Sequence, residues 1–277
     1  MSRSRANRLP HPYWIGAAMI AALWGLAPAA AAPSRITGDP TAEHDQCVAE
    51  AERDAPAALA RAKQWSNSGG GFDADHCAAM ALFYMKEYVE AARQFEKLAH
   101  GMDTLAPADQ ARMYDQAGQA WLVAEQPRSA KFDFDAALRL TPNDSDMLVD
   151  RAEALASLKR YWDAIDDLNR ASDLTPKKAE IYIYRAAAYR VLDALPLARQ
   201  DIDRNLALAP NNPVGLLERG NIRRLQGDVA GARRDWLSVA KAAPGSSAAE
   251  AAARNLARLG AIRDEKAFPR KATDGPS

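Results

Sequence analysis

Four side chains in the first third of the 277-residue chain have types and spacing that could do chemistry together: His44 and Cys47, then His76 and Cys77 about thirty residues on. Three chemistries suit them. The two thiols, which are the only cysteines, can join as a disulfide, can serve with the imidazoles as zinc ligands, or can act singly in redox exchange. An isolated pair in an oxidising compartment favours the bridge, and closing such a loop restricts the unfolded chain by roughly 3.5 kcal/mol. Shared zinc coordination suits adjacent His76 and Cys77 poorly, because neighbours on a helix point about 100° apart. The expectation is a Cys47–Cys77 disulfide and no metal, with the zinc and redox readings still open.

The compartment is read from the leading residues. Arg3, Arg5 and Arg8 precede the uncharged run Ile15 to Leu26, and small residues follow from Ala29 to Ala32, the order of a secretory signal. About twelve apolar residues are too few to span a bilayer. No Arg-Arg pair marks a twin-arginine leader, and no cysteine follows the cleavage region to accept a lipid. Residues 1–31 are expected to be a signal peptide and 32–42 a flexible linker, giving a protein exported to the periplasm or secreted, with no membrane anchor after cleavage. An uncleaved anchor is the rival reading.

Other catalytic constellations are missing. There is no nucleophile elbow, glycine-rich phosphate loop or metal-binding helix motif. His11 falls in the leader, and His100 stands where a helix C-terminus would use it against the dipole. No catalytic residue and no cofactor is expected, so the chain reads as a binder and not an enzyme. Without the leader's three arginines, 33 Lys and Arg face 36 Asp and Glu. A mature charge of about −3 with no basic stripe argues against nucleic acid.

What positions these residues is helical. The composition, 48% hydrophobic and 26% charged, is that of a globular chain, and it favours alanine, leucine, arginine and aspartate over β-branched runs. Pro142, Pro176, Pro210 and Pro244 recur every 34 residues. Each ends a helix, since proline has no N–H to donate and its ring clashes with a preceding carbonyl. Asn143, Asn211 and Asn212 follow as turn or cap residues. With the proline at position 32, units begin at Ala111, Ser145, Ala179 and Pro213. Position 20 is then Ala130, Ala164, Ala198 and Ala232, and position 8 is Gly118, Ala152, Ala186 and Gly220, where two helices of a hairpin cross closely. Position 24 (Phe134, Leu168, Ile202, Trp236) and position 4 (Tyr114, Leu148, Tyr182, Leu216) fill the space between hairpins.

This register resembles the tetratricopeptide repeat family, most clearly in residues 145–178 with Tyr161, Ala164, Ala171 and Pro176 in place. The resemblance covers Ala111 to Pro244 in four units, with departures at Pro127, Asn205 and Arg223. It implies an all-α fold, a right-handed α-solenoid of stacked helix-turn-helix hairpins with N- and C-terminal capping helices. The expected divisions are an N-terminal helical cap and glycine-rich linker over 43–71, kinked near Pro56, a degenerate repeat over 72–110, and repeats over 111–144, 145–178, 179–212 and 213–246. A capping helix over 247–260 opens with the box Ser247 to Glu250, and 261–277 is expected to be a disordered tail.

Asp recurs at position 23 (Asp133, Asp167, Asp201, Asp235) and Arg at position 7 of three units (Arg151, Arg185, Arg219). The expectation is a ladder between successive hairpins, Asp133 to Arg151, Asp167 to Arg185 and Asp201 to Arg219, that fixes register more than it stabilises.

The resemblance also implies that positions 2, 5, 9 and 12 of each first helix line a concave groove. Here that row holds Arg112, Asp115 and Gln119; Asp146, Val149 and Glu153; Glu180, Ile183 and Arg190; and Val214, Leu217, Asn221 and Arg224. Some family members clamp a terminal carboxylate with lysine at position 5 and asparagine at position 9, which this chain lacks. The C-terminal half, with Ile183, Arg190, Leu217, Asn221 and Arg224, suits a peptide with an acidic end. Trp162, at position 18, is a separate candidate contact on the outer surface. The function expected is a protein-protein interaction scaffold of the periplasm. The alternatives are an assembly helper for an envelope complex, such as pilus or cytochrome c maturation machinery, and a cell-wall-associated module or enzyme subunit.

Overall fold

A computed structural model describes residues 40–101 and 106–267. The expected signal peptide, most of the linker after it and the end of the expected tail lie outside the described residues. Among them there are thirteen helices and no strand. They pair as antiparallel hairpins: α1 (Pro40–Arg53) with α2 (Ala55–Asn67), α3 (Gly71–Tyr84) with α4 (Tyr88–His100), α5 (Pro107–Val123) with α6 (Pro127–Leu140), and α7 (Ser145–Ser157) with α8 (Tyr161–Leu174). These form an N-terminal unit reaching Pro176. From Lys177 a second unit holds α9 (Ala179–Val191) with α10 (Leu195–Leu208), α11 (Pro213–Leu225) with α12 (Val229–Ala242), and a final α13 (Ser247–Ala267).

Small residues at the helix crossings explain the hairpins. Ala130, Ala164, Ala198 and Ala232 are wholly buried. At the facing crossing, position 8 changes in step with position 24. A Cβ on Gly118 would lie 2.6 Å from Phe134 Cε1, and one on Gly220 would lie 2.5 Å from Trp236 Nε1. Where position 24 is the smaller Leu168 or Ile202, position 8 is alanine (Ala152, Ala186). Interiors pack to crystal density, so in these four repeats a ring stands against bare backbone, whereas in repeat 72–110 Phe95 shares the crossing with Ala79, both wholly buried. Asn205 fits by the same rule: its Nδ2 donates to the Ala179 carbonyl at 2.8 Å, and a Cβ on Gly215 would meet its Oδ1 at 2.1 Å.

The helix ends refine three expectations. After Pro142 it is Asp144, not Asn143, whose carboxylate accepts from the amides of Asp146 (2.9 Å) and Met147 (3.2 Å), whereas Asn143 accepts from Arg170. Asn212 caps α11 as expected, accepting from Val214 and Gly215. At α13 the cap is Ser246, whose Oγ accepts from Ala249 at 3.1 Å, and the helix runs through Ala267, past the expected end at 260. Asp54 caps α2 with Pro56 in its first turn, which accounts for the break in the N-terminal cap. The turn within each repeat puts position 15 in the left-handed region, with φ 67° at Lys86, 58° at Glu125, 61° at Lys159, 58° at Asp193 and 85° at Gly227.

The ion-pair ladder runs inside hairpins. Arg151 chelates Asp167 (2.8 and 2.6 Å), Arg185 chelates Asp201 (2.8 and 2.7 Å) and Arg219 chelates Asp235 (3.0 and 2.8 Å), each sixteen residues apart. Antiparallel packing sets position 7 of the first helix level with position 23 of the second, which the expected pairing eighteen residues apart overlooked. A link between successive hairpins does exist at another position, because Arg151 also donates to Asp135 at 3.0 Å. Arg223, out of pattern at position 11, joins Asp235 at 2.7 Å.

Candidate interaction surfaces

The cysteines sit where the N-terminal cap meets the first repeat. Cys47 of α1 and Cys77 of α3 are both wholly buried and are joined as a disulfide. Thiols so joined do not ligate zinc, and among the described residues no group of three or more His, Cys, Asp or Glu is placed to hold a metal ion. The histidines form a chain of their own: His44 Nε2 meets His76 Nδ1 at 2.8 Å, and His76 Nε2 meets Gln116 Oε1 at 2.9 Å. Burial, followed by the His44 imidazole, pushes the His76 pKa down to about 4, so it is neutral at physiological pH. Beside it a cavity of about 290 Å³ is lined by Phe72, Arg112 and Gln116 among others. His76 takes position 5 of a repeat starting at Phe72. The repeat register carried that signal, although the row of candidate residues began only at Arg112.

The first-helix row is mostly not open to solvent. Asp115, Gln119, Val149 and Glu153 are buried, and Gln119 Nε2 bridges Asp115 (3.0 Å) to Asp150 (2.9 Å). Arg112 is exposed and paired with Asp109, while Asp146 is half-buried at the start of α7. In the C-terminal unit Ile183 and Leu217 are buried in the core. The polar members come together instead: Arg190 of α9 reaches the wholly buried Glu218 of α11, Asn221 donates to Glu218 at 3.0 Å, and Asn255 of α13 donates to Asn221 at 2.9 Å. Arg224 stands exposed a turn beyond Asn221, Val214 is half-buried, and Glu180 is held by Lys178 at 2.8 Å. Neither Glu218 nor Asn255 was in the expected row. Trp162 projects at the start of α8 and is 61% exposed.

One buried carboxylate is held differently from its equivalents. Asp133 is 1% exposed, and position 7 of its repeat is Ala117, so no arginine faces it. Trp121 Nε1 donates to Glu96 at 2.7 Å, and Glu96 shares a hydrogen bond with Asp133. Burial first, then the Glu96 charge and that bond, pushes Asp133 up to about 8, so it keeps its proton at neutral pH.

These features define a helical-repeat protein. No family model and no curated protein matches the sequence. Solved structures resemble it. The crystal structure of MamA is 15% identical, with 59% of this chain and 93% of that one covered and a TM-score of 0.52. MamA from residue 41 to its end, from Desulfovibrio magneticus RS-1, is 19% identical over 65% of this chain and 94% of its own, with a TM-score of 0.53. YrrB, described as a TPR protein with an unusual peptide-binding site, is 19% identical over 69% and 96%, with a TM-score of 0.50. The chain has the tetratricopeptide-repeat fold.

Proposed function

We propose that this chain is an exported, non-catalytic interaction scaffold that takes a peptide or protein segment along the first-helix face of its C-terminal unit. The carrying observation is the linked set Arg190, Glu218, Asn221 and Asn255, which draws on three helices and leaves Arg224 exposed beside it. Side chains already fixed by one another lose little freedom when a ligand docks, so a preorganised polar row favours binding. An exposed guanidinium at its edge favours a ligand with a carboxylate. YrrB, a solved structure of this fold with a peptide-binding site, supports a peptide as the ligand. The leader-like first residues support export.

Arg190 is a poor residue to remove, because Glu218 would be left buried without its cation. The test is therefore Arg224→Glu combined with Asn255→Ala, compared with wild type in affinity capture from the envelope fraction. Loss of a captured partner with unchanged thermal stability is expected. An identical set of partners from both baits would remove this face from consideration.

A further inference from the structure

Charge along the chain is divided unevenly. Residues 40–176 carry 24 Asp and Glu against 14 Lys and Arg, a net of −10, while residues 177–260 carry 8 against 14, a net of +6. The imbalance reaches the surface on two helices. On α12 the buried side is Ala232, Asp235, Trp236 and Val239, and the outward side presents Val229, Arg233, Arg234, Leu237 and Lys241 with no acid. Val229 is 46% exposed and Leu237 is 53% exposed. The one acid of α12, Asp235, is turned inward and held by Arg219 and Arg223.

The outward side of α8 has the opposite sign. It shows Trp162, Asp163, Asp166, Arg170 and Asp173. Asp163 is taken by Arg160, and Arg170 by Asn143. Asp166 and Asp173 are exposed with no cation against them among the described residues, and Arg234 and Lys241 are exposed with no acid against them. Both pairs occupy positions 22 and 29 of their repeats, so each sets two like charges about 10 Å apart along one helix face. The equivalent residues of the other three repeats are Arg93 with His100, Phe132 with Arg139 and Gln200 with Ala207, none of which pairs two carboxylates or two Lys/Arg side chains.

We propose that the outer face of α8 in one copy docks on the outer face of α12 in a second copy, joining Asp166 to Arg234 and Asp173 to Lys241. In that parallel register Trp162, at position 18, comes level with Ala230 one turn before the Asp166–Arg234 pair, and its exposed ring adds apolar contact to the seam. The surfaces are different patches of the same chain, so the contact is heterologous and leaves one face free at each end. Association therefore continues beyond the dimer. A single helix face buries little area, which places the dissociation constant on the order of tens of micromolar, and exposed charges make it salt-sensitive.

Sedimentation velocity of the mature chain at micromolar to ~200 μM, in about 20 mM and about 500 mM salt, tests this directly. The weight-average coefficient is expected to climb with concentration at low salt and to fall to the monomer value at high salt. Asp166→Lys with Asp173→Lys, and separately Arg234→Glu with Lys241→Glu, should each weaken association about tenfold or more. An equimolar mixture of the two charge-reversed proteins should recover it. All four residues are exposed, so circular dichroism is expected to show both variants folded; Trp162→Ala, which changes no charge, should also weaken association. A wild type that stays monomeric in both salts overturns the proposal, as does a reversed variant that associates like wild type or a mixture that remains monomeric. Monomeric protein that binds phosphatidylglycerol vesicles through Arg234 and Lys241 would overturn it as well, assigning the basic face to lipid.

Discussion

Repeat 111–144 and the three that follow place the same aspartate at the same position and meet its burial in different ways. In the later repeats a position-7 arginine chelates it, and Asp167, Asp201 and Asp235 are charged members of bidentate pairs. In repeat 111–144 position 7 is Ala117, and Asp133 instead holds a proton that it shares with Glu96. A buried carboxylate must be neutralised, and either a guanidinium or a proton will do so. The choice does not alter the hairpin, but it decides which part of the molecule answers to pH.

The sharpest way to break this comparison is to take an arginine away from one of the later repeats. Arg185→Met keeps much of the aliphatic stem but leaves Asp201, 5% exposed, without its cation. A loss of about 3–4 kcal/mol is expected at pH 7, because an uncompensated buried charge is costly. Urea unfolding measures it, and a second change, Asp201→Leu, should return most of the loss. If Arg185→Met cost less than about 1 kcal/mol, the intra-hairpin pair would belong with ordinary surface ion pairs.

A steric comparison follows at positions 8 and 24. Gly220→Ala puts a methyl group 2.5 Å from Trp236 Nε1, and the fully buried indole has nowhere to withdraw. The expected loss is about 2–3 kcal/mol, from overpacking. In a repeat where Leu168 stands opposite, the reverse change Ala152→Gly should cost only about 1 kcal/mol, mainly through helix propensity. Equal effects at the two sites would show that side chain and backbone are not matched there.

Much of the fold was legible in the sequence because a 34-residue period fixes which residues share a face, and prolines and small residues keep that period whatever their surroundings. The cysteine pair was legible for a related reason, since the leader-like first residues set the expectation of an oxidising compartment, where two thiols have few other uses. The partner of each aspartate was not. Each position-7 arginine has one such aspartate eighteen residues before it and another sixteen residues after it, and the antiparallel crossing of the two helices in a hairpin decides between them. The candidate binding row was half legible: Arg190, Asn221 and Arg224 are open or half-open, but Asp115, Gln119, Ile183 and Leu217 are not. Position in a repeat tells which way a side chain leaves its helix, whereas burial depends on what the neighbouring helix sends to meet it. Glu218 and Asn255 fell outside the row altogether, yet they complete the network.

Acid-base behaviour sharpens the contrast between Asp133 and its equivalents. The folded-state pKa of Asp133 is raised from 3.8 to about 8, so between about pH 4 and pH 8 the folded chain keeps a proton that the unfolded chain has lost. The stability tied to that proton is full below the ordinary carboxylate range, and it declines as pH rises toward 8. Asp133→Asn cannot lose a proton and can still donate to Glu96. The variant should match wild type near pH 4 and exceed it by about 1–2 kcal/mol at pH 8 or above, read as a melting temperature higher by about 4 °C. At Asp201 the same change should destabilise throughout neutral pH, because there the arginine loses its carboxylate. A difference that is flat in pH at position 133 would put the shared proton elsewhere.

The smallest expected effect tests whether repeats that share a turn also share its strain. Position 15 is left-handed in every repeat, yet only Gly227 is the residue type that adopts this region freely. Asp193, at φ 58°, carries a side chain in a conformation that costs L-residues roughly 1 kcal/mol. Asp193→Gly removes that cost but makes the unfolded chain more flexible, which offsets part of the gain. A net stabilisation of about 0.5 kcal/mol is therefore expected, with Gly227→Asp losing a similar or larger amount, both read from urea midpoints. Aspartate bears αL better than most residues, so Lys159→Gly should gain more than Asp193→Gly if backbone strain sets the sign. The reverse order would mean that the Asp193 side chain, and not its backbone, decides what this turn tolerates.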